Sequence, residues 1–146
     1  MKRRTLLQSV SAAAFLPSLP GAAGEAGEET APDADAVYEL RIYHVVPGKV
    51  DELLARFRDH TRKIFDRHGM KSVAYWTPVD DPQKGNTLIY ILQHPSRAAA
   101  DANWNSFKDD AEWKSVKAKS EENGKLVEKI DSTFMSLTDF SPRLRS

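Results

Sequence analysis

Hydrophobic and polar residues alternate over residues 37–45, and this alternation predicts a β-strand. Neighbouring side chains of a strand point to opposite faces of the sheet, so the segment divides into two sets. The more apolar set comprises Tyr38, Leu40, Ile42 and His44. The other set, which mixes charge with aromatic surface, comprises Val37, Glu39, Arg41 and Tyr43. We expect the first set to face the core, and the second to form a partly solvent-exposed face or a pocket wall.

Residues 48–68 have the spacing of an amphipathic helix. Apolar side chains recur there every three or four positions, at Val50, Leu53, Leu54, Phe57, Ile64 and Phe65. Asp51 and Glu52 near the start suit the positive end of the helix dipole, and Arg67 near the end suits the negative end. Gly69 supplies a left-handed stop. The pattern therefore predicts one helix over this segment.

Two further strands are predicted, at residues 70–77 and 87–94. Pro78 ends the first strand, and a turn-rich loop over residues 80–86 separates it from the second. Because only this loop connects the two strands, we expect them to pair antiparallel.

The rest of the chain predicts a second helical region and a final strand. Ser96 is suited to be the N-cap of the helix, and Asp109-Asp110 is expected to divide it into two pieces that end near Asn123-Gly124. Residues 126–138 then predict the fourth strand.

The order β-α-β-β-α-β predicts an α+β fold of the ferredoxin-like type. Right-handed crossovers give a four-stranded antiparallel sheet with both helices on one face. The opposite face then has no cover, and a large exposed apolar surface is unfavourable in water. We therefore expect a homodimer that buries this face.

The amino terminus predicts an export signal over residues 1–24. Lys2-Arg3-Arg4 precedes a modest apolar stretch, and small residues that favour cleavage near residues 22–26 follow it. The segment Arg3-Arg4-Thr5-Leu6-Leu7 resembles a twin-arginine signal. An ordinary secretion signal and a disordered cytosolic tail are the alternatives. Residues 25–36 are acidic and predict a flexible linker. We expect a periplasmic or extracellular protein after cleavage.

Composition excludes several classes of function. The 21 basic and 21 acidic residues balance, so no broad basic face for nucleic acid is expected. The absence of cysteine excludes disulfides, thiolate metal sites and a cysteine nucleophile. The apolar part of the signal is too short to span a bilayer, so no integral membrane segment is expected in the mature protein.

The motifs within and between the predicted elements resemble those of a known family. The motifs are Tyr38-Glu39-Leu40-Arg41-Ile42-Tyr43, Pro47-Gly48-Lys49, His68-Gly69-Met70, Tyr75-Trp76-Thr77 and Asn86-Thr87-Leu88-Ile89-Tyr90. Trp104, Phe107, residues 110–113 and Phe140-Ser141-Pro142 continue the pattern. In this order and spacing, residues 37–142 resemble the NIPSNAP family of the dimeric α/β-barrel superfamily. Ala111 stands where the family's proline is expected, which predicts a less sharp helix break.

The resemblance implies a fold and a dimer more than an activity. The superfamily includes cofactor-independent monooxygenases and haem-degrading enzymes, and its small aromatic or polyketide substrates occupy the space between sheet and helices. Transferring those reactions to this chain would be an analogy of fold alone.

The candidate chemistry centres on polar and aromatic residues of the predicted sheet. Glu39, Arg41, Tyr43 and Tyr75 are the candidate catalytic residues, as a carboxylate base, a cationic anchor and phenol donors. The candidate pocket residues are Trp76, Tyr90, Trp104 and His44. The simpler interpretations, which we favour, are an Arg41–Glu39 ion pair at a subunit interface and a purely structural set of core aromatics.

No metal site is predicted, because the histidines lack the spacing of a tight ligand motif. The leading hypothesis is an exported homodimeric binding or structural module that holds a small apolar or aromatic molecule, without a cofactor. One alternative is an enzyme of the cofactor-independent oxygenase or isomerase type. The other is a haem-binding protein with His44 or His94 as ligand.

Overall fold

The computed structural model describes residues 35–144. The strands are β1 (Val37–Val45), β2 (Lys71–Trp76), β3 (Thr87–His94) and β4 (Val127–Met135). The helices are α1 (Val50–Arg56), α2 (Arg62–Arg67), α3 (Arg97–Asp109) and α4 (Ala111–Ser120), with a π-helical segment (Phe57–Thr61) between α1 and α2. The expected signal over residues 1–24 and most of the expected linker lie outside the described residues.

The four strands form one antiparallel sheet in the order β2-β3-β1-β4. β1 pairs with β3 in a register that sets Arg41 opposite Tyr90, and with β4 in a register that sets Arg41 opposite Ser132. β2 and β3 pair antiparallel across the connecting loop. This topology confirms the predicted α+β fold with a ferredoxin-like β-α-β-β-α-β order.

The first helical region is continuous but not uniform. α1, the π-helical segment and α2 follow one another without a break, so the predicted helix is confirmed from Val50 to Arg67. The wider π-helical turn was not predicted, and it brings Phe57 and Thr61 into the buried interior. Gly69 follows with a φ of 73°, the left-handed conformation expected of a helix stop.

The second helical region breaks at a single residue. Ser96 Oγ accepts a hydrogen bond from the Ala99 N–H at 3.0 Å and caps α3. Asp110 is extended, with φ −61° and ψ 126°, and its side chain accepts from the Trp113 N–H to cap α4. The break is therefore sharp although Ala111 replaces the expected proline, because the Asp110 carboxylate supplies the cap.

The core lies between the sheet and the helices. All the helices direct their apolar residues to one face of the sheet, which we call the inner face. The cluster comprises Tyr43, Val45, Leu53, Phe57, Ile64, Phe65, Met70, Leu88, Tyr90, Leu92, Phe107 and Leu126. No helix among residues 35–144 is long and apolar enough to cross a membrane.

The prediction of which β1 residues face the core is wrong. Glu39, Arg41 and Tyr43 point to the inner face, where Trp104 of α3 contacts Glu39. Leu40 and Ile42 lie on the opposite, outer face and are only half-buried, whereas Tyr38, on the same side of β1, is buried at 5% exposure. The apolar character of the set misled the prediction, because polar groups of the other set are satisfied by partners distant in sequence.

Candidate ligand-binding groove

A groove runs on the inner face between β4 and the helices α3 and α4. It consists of two cavities, of about 460 and 440 Å³, which share Tyr43, Phe107, Trp113 and Ile130. One cavity contains Arg41 and the other contains Arg56, so we call its two ends the Arg41 end and the Arg56 end. The Ile130 side chain is 42% exposed, which shows that the apolar floor is open.

Glu39 is the centre of a hydrogen-bond network at the Arg41 end, although it is only 1% exposed. Its Oε1 accepts from Arg41 Nη1 at 2.6 Å and from Ser132 Oγ at 2.7 Å. Its Oε2 accepts from Trp104 Nε1 at 2.7 Å and from His94 Nε2 at 2.8 Å. Four donors from β1, β3, α3 and β4 therefore converge on one carboxylate.

The network fixes the charge of Glu39. Burial alone would raise the pKa of this carboxyl, but the bonds from His94, Trp104, Ser132 and Arg41 outweigh burial and lower the pKa to about 2. Since an ionised carboxylate can only accept, His94 Nε2 is the donor in its bond to Glu39. Glu39 thus carries a fixed negative charge, and each of its carboxylate oxygens already accepts two hydrogen bonds. It is therefore a poor proton acceptor.

Arg41 lies between this network and the groove. Its guanidinium is 4.2 Å from the centre of the Trp104 ring, a cation–π contact that holds the side chain against the groove wall. Only Nη1 has a hydrogen-bond partner among the described residues, and Nε is buried without one. Arg41 therefore retains donor capacity beyond its bond to Glu39.

A stack of phenols supports the floor of the groove. The Tyr90 hydroxyl donates to the Tyr43 hydroxyl at 2.9 Å, and the Tyr75 ring stacks on Tyr90 with 5.3 Å between centroids. Burial raises the pKa of both Tyr90 and Tyr75, so each stays a neutral phenol. Tyr43 alone of the three lines the groove, and its own hydroxyl proton has no acceptor among the described residues.

The Arg56 end is formed by the end of α1, the π-helical segment, α4 and β4. Arg56 Nη1 donates to Ser120 Oγ and to Glu121 Oε1, each at 3.2 Å, and its guanidinium is 5.2 Å from the Trp113 ring centre. The Arg56 side chain is 4% exposed, and Nε has no partner among residues 35–144. The two ends of the groove thus share one arrangement, an arginine held by a glutamate and stacked on a tryptophan.

A family model described as NIPSNAP matches residues 38–142. The chain belongs to the NIPSNAP family. A NIPSNAP-like domain protein from Burkholderia xenovorans is 17% identical, with a TM-score of 0.65 over 76% of this chain and 92% of that chain. A NIPSNAP family protein of unknown function from Agrobacterium tumefaciens is 22% identical, with a TM-score of 0.64 over 75% and 94%. The family model confirms the family that the sequence motifs resemble, and the two solved structures share its fold.

A more distant likeness supports the fold alone. SnoaB, a cofactor-independent oxygenase from Streptomyces nogalater, is 15% identical to this NIPSNAP chain, with a TM-score of 0.50. The match covers 75% of this chain and 100% of SnoaB. No curated protein matches the chain.

The NIPSNAP fold brings half of the candidate residues together. Glu39, Arg41, Tyr43 and Trp104 all line the Arg41 end of the groove. Tyr90 and Tyr75 lie behind Tyr43, and neither lines the groove. The expected Arg41–Glu39 pair exists, but it contacts α3 on the inner face and does not lie on the outer face of the sheet.

Two candidates lie elsewhere in the NIPSNAP domain. Trp76 is opposite Ile89 at the edge of the sheet, on the outer face, and is 48% exposed. His44 is also on the outer face, where its Nε2 is 2.7 Å from the Asp131 carboxylate. The structure does not bring these two residues to the groove.

Sequence reasoning missed His94 as a partner of Glu39. It also missed several groove residues, namely Arg56, Trp113, Ile130, Ser132 and Phe134. The parity of β4 contained a signal, because every second residue from Ile130 shares the face of Tyr43, Arg41 and Glu39. Using that signal requires the register between β1 and β4, which the sequence alone does not provide.

Three of the four histidines, His44, His68 and His94, have protein hydrogen-bond partners. His68 Nε2 contacts Asp110 at 2.7 Å at the end of the first helical region, and His94 is committed to Glu39. Among residues 35–144, no group of three or more histidine, aspartate or glutamate side chains is placed to hold a metal ion.

Proposed function

We propose that this NIPSNAP domain is an exported, homodimeric binding module that holds a small apolar or aromatic molecule in the groove. The observation that carries the proposal is the open apolar floor at Ile130, flanked by the aromatic walls Phe107 and Trp113. Each cavity of the groove has a volume within the range of about 300–1,000 Å³ that is typical of small-molecule sites.

The same geometry argues for binding over catalysis. A general base needs a free lone pair and a pKa near the working pH, whereas Glu39 has four donors and a pKa of about 2. Of the two candidate phenol donors, Tyr75 is bonded to Ser72 Oγ at 2.8 Å and does not line the groove. Tyr43 lines the groove, where its hydroxyl is placed to donate a hydrogen bond to a ligand. The candidate residues are therefore better suited to orient a ligand than to exchange protons with it.

A haem-binding role has less support than a ligand-binding one. His94 is fully buried, and releasing its Nε2 for iron would break a hydrogen bond to an ionised carboxylate. His44 lies on the outer face and is paired with Asp131. Either histidine would have to abandon a charged partner before it could coordinate a metal.

Homodimerisation is proposed from the outer face. Leu40 and Ile42 of β1 lie beside Ile89 and Ile91 of β3, with Trp76 at the edge of the same face. All the described helices pack on the inner face, so this apolar surface needs another cover. At roughly 25 cal/mol per Å² of apolar area, burial of a few hundred Å² gives a substantial driving force.

Export is proposed from the sequence of residues 1–24, whose basic start and apolar stretch favour a cleavable signal. The first experiment is native mass spectrometry of the protein recovered from the periplasm or medium of an exporting host. We expect a dimer that lacks about two dozen amino-terminal residues and carries a reproducible extra mass. A monomer would contradict the proposed dimer, and a retained signal would contradict the proposed processing.

A groove-filling variant tests the binding site itself. Ile130→Trp places a larger side chain on the floor, and we expect it to abolish the extra mass and the binding of naphthalene-based probes. Val79→Trp, in the exposed loop between β2 and β3, is the matched control and should bind normally. Equal binding by both variants would exclude the groove as the ligand site.

A further inference from the structure

The two ends of the groove use the same pair of side chains but differ in charge. At each end an arginine stacks on a tryptophan, Arg41 on Trp104 and Arg56 on Trp113. Each arginine uses Nη1 to bind a glutamate, and neither Nη2 has a hydrogen-bond partner among the described residues. Both ends therefore present unused N–H donors from a cation that is already held in place.

The charged lining distinguishes the two ends. The Arg56 end contains three basic side chains, Arg56, Lys117 and Lys125, and two acidic ones, Glu121 and Glu128. Lys129 also lines this end, but its ammonium lies 2.9 Å from Asp131, which is on the outer face. The Arg41 end contains two basic side chains, Arg41 and Lys108, and two acidic ones, Glu39 and Asp101. Among lysines and arginines, Glu39 pairs with Arg41 alone, so the Arg41 end is locally balanced and suits a neutral acceptor. Glu121 is shared by Arg56 and Lys117, so an anion is favoured at the Arg56 end.

The middle of the groove is apolar and aromatic. Tyr43, Phe107, Trp113 and Ile130 belong to both cavities and connect them. A ligand that reaches both arginines must lie across these residues, where a planar hydrophobic body makes the best contact.

We propose that the ligand is an elongated aromatic acid that binds in one orientation. Its carboxylate lies at the Arg56 end, its apolar body lies across the shared middle, and a carbonyl or hydroxyl oxygen accepts a hydrogen bond at the Arg41 end. The inference rests on the proposed binding function and specifies the ligand class of that groove. The orientation follows from charge, because a second anion beside Glu39 at the balanced end would be less favourable.

Three probes of similar shape separate these contributions. 6-Hydroxy-2-naphthoate carries an oxygen at both ends, 2-naphthoate lacks the distal hydroxyl, and 2-naphthol lacks the carboxylate. Calorimetric titration of the exported wild-type protein at neutral pH should rank their affinities in that order. We expect roughly a tenfold step between 2-naphthoate and 2-naphthol, since a hydrogen bond to a charged group is worth about one such step.

Variants at the Arg56 end test the site of the carboxylate. Lys125 is exposed and has no ion pair among the described residues, so Lys125→Gln removes charge without disturbing a structural contact. We expect this variant to weaken 2-naphthoate several-fold and to leave 2-naphthol unchanged. Lys119→Gln is the matched control, because Lys119 is exposed nearby but lies outside the groove. Arg56→Lys, which keeps the charge but loses the forked donor set, should cost roughly tenfold for 2-naphthoate alone.

A variant at the Arg41 end tests the orientation. Arg41→Lys should remove the gain in affinity that the distal hydroxyl of 6-hydroxy-2-naphthoate gives, while 2-naphthoate keeps its wild-type affinity. The Lys125→Gln result supports or contradicts the charge asymmetry even if Arg41→Lys fails to fold.

The outcomes separate this inference from the function on which it rests. If 2-naphthoate and 2-naphthol bind the wild type equally, and Lys125→Gln and Arg56→Lys change neither, the aromatic-acid proposal is wrong and the groove proposal stands. If Lys125→Gln and its control Lys119→Gln weaken 2-naphthoate equally, a general charge effect replaces the proposed site. If no probe binds the wild type, both proposals fail together.

Discussion

The two faces of strand β1 show that burial does not follow residue polarity. The inner face presents Glu39, Arg41 and Tyr43 to the helices, and Glu39 and Tyr43 are buried there. The outer face presents Tyr38, which is buried, and Leu40 and Ile42, which remain only half-buried in the single chain. The location of a side chain in this fold therefore depends on which partners it finds, and residue type alone does not determine it.

The physical reason lies in the cost of unmet hydrogen bonds. A buried carboxylate is expensive unless donors and a countercharge replace water, and Glu39 has both. Exposing leucine and isoleucine side chains to water is less unfavourable than burying an unpaired carboxylate, and covering them with a second subunit removes that unfavourable free energy. The comparison between the two faces gives four predictions, from the largest expected effect to the smallest.

Removing the charge of Glu39 is expected to have the largest effect. Glu39→Gln leaves Arg41 without its countercharge and sets an amide N–H₂ against two donors. Breaking a buried ion pair in this way costs about 3–5 kcal/mol of unfolding free energy, measured by urea denaturation. Glu52→Gln is the control, because the Glu52–Lys49 pair is solvent-accessible and should contribute less than about 1 kcal/mol. Equal losses in both variants would contradict the importance of the network.

Acid should erase the difference between the wild type and Glu39→Gln. The pKa of Glu39 falls from an ordinary 4.5 to about 2 in the folded protein, so its stabilising effect is complete above about pH 4.5. That effect is lost as the pH falls from 4.5 to 2, because protonation converts the carboxylate to a neutral group like the amide. Urea titrations at several pH values should show the gap closing across this range. A gap that stays constant would show that Glu39 is not the titrating group.

The sequence was sufficient for the elements and insufficient for the site. β3 spans the predicted residues 87–94, Ser96 caps α3 as predicted, and the second helical region breaks at the predicted Asp109-Asp110, because these signals are local. The partners of Glu39 are not local, since His94, Trp104 and Ser132 follow it by 55, 65 and 93 residues. Without the register of the sheet, the set containing Glu39 looks like the wetter face, so the inner face was assigned to the wrong set.

A smaller effect is expected from the phenol pair beneath the groove. Tyr43→Phe removes the acceptor of the fully buried Tyr90 hydroxyl and should cost about 1–3 kcal/mol of unfolding free energy. Tyr43→Phe/Tyr90→Phe removes both polar groups and should recover most of that loss in the same denaturation assay. Purely additive losses would show that the two hydroxyl groups are not coupled in the folded protein.

The smallest effect on the single subunit is expected at the outer face. Leu40→Gln adjoins Glu39 in sequence but points to the opposite side, and it should change the unfolding free energy of the isolated subunit by less than about 1 kcal/mol. The same variant should halve the molar mass measured by light scattering, because it places a polar amide in the proposed dimer interface. An unchanged molar mass would exclude this part of the outer face from the interface.

Asp110 is a position where a single substitution would change the length of the groove. This one residue ends α3, begins α4 and binds both Arg67 and His68 of the first helical region. Trp104 and Trp113 lie on either side of it, so a change at Asp110 alters the spacing of the two tryptophans without touching either. Related chains could thus evolve different ligand lengths through the helix joint while the sheet and its carboxylate network remain constant.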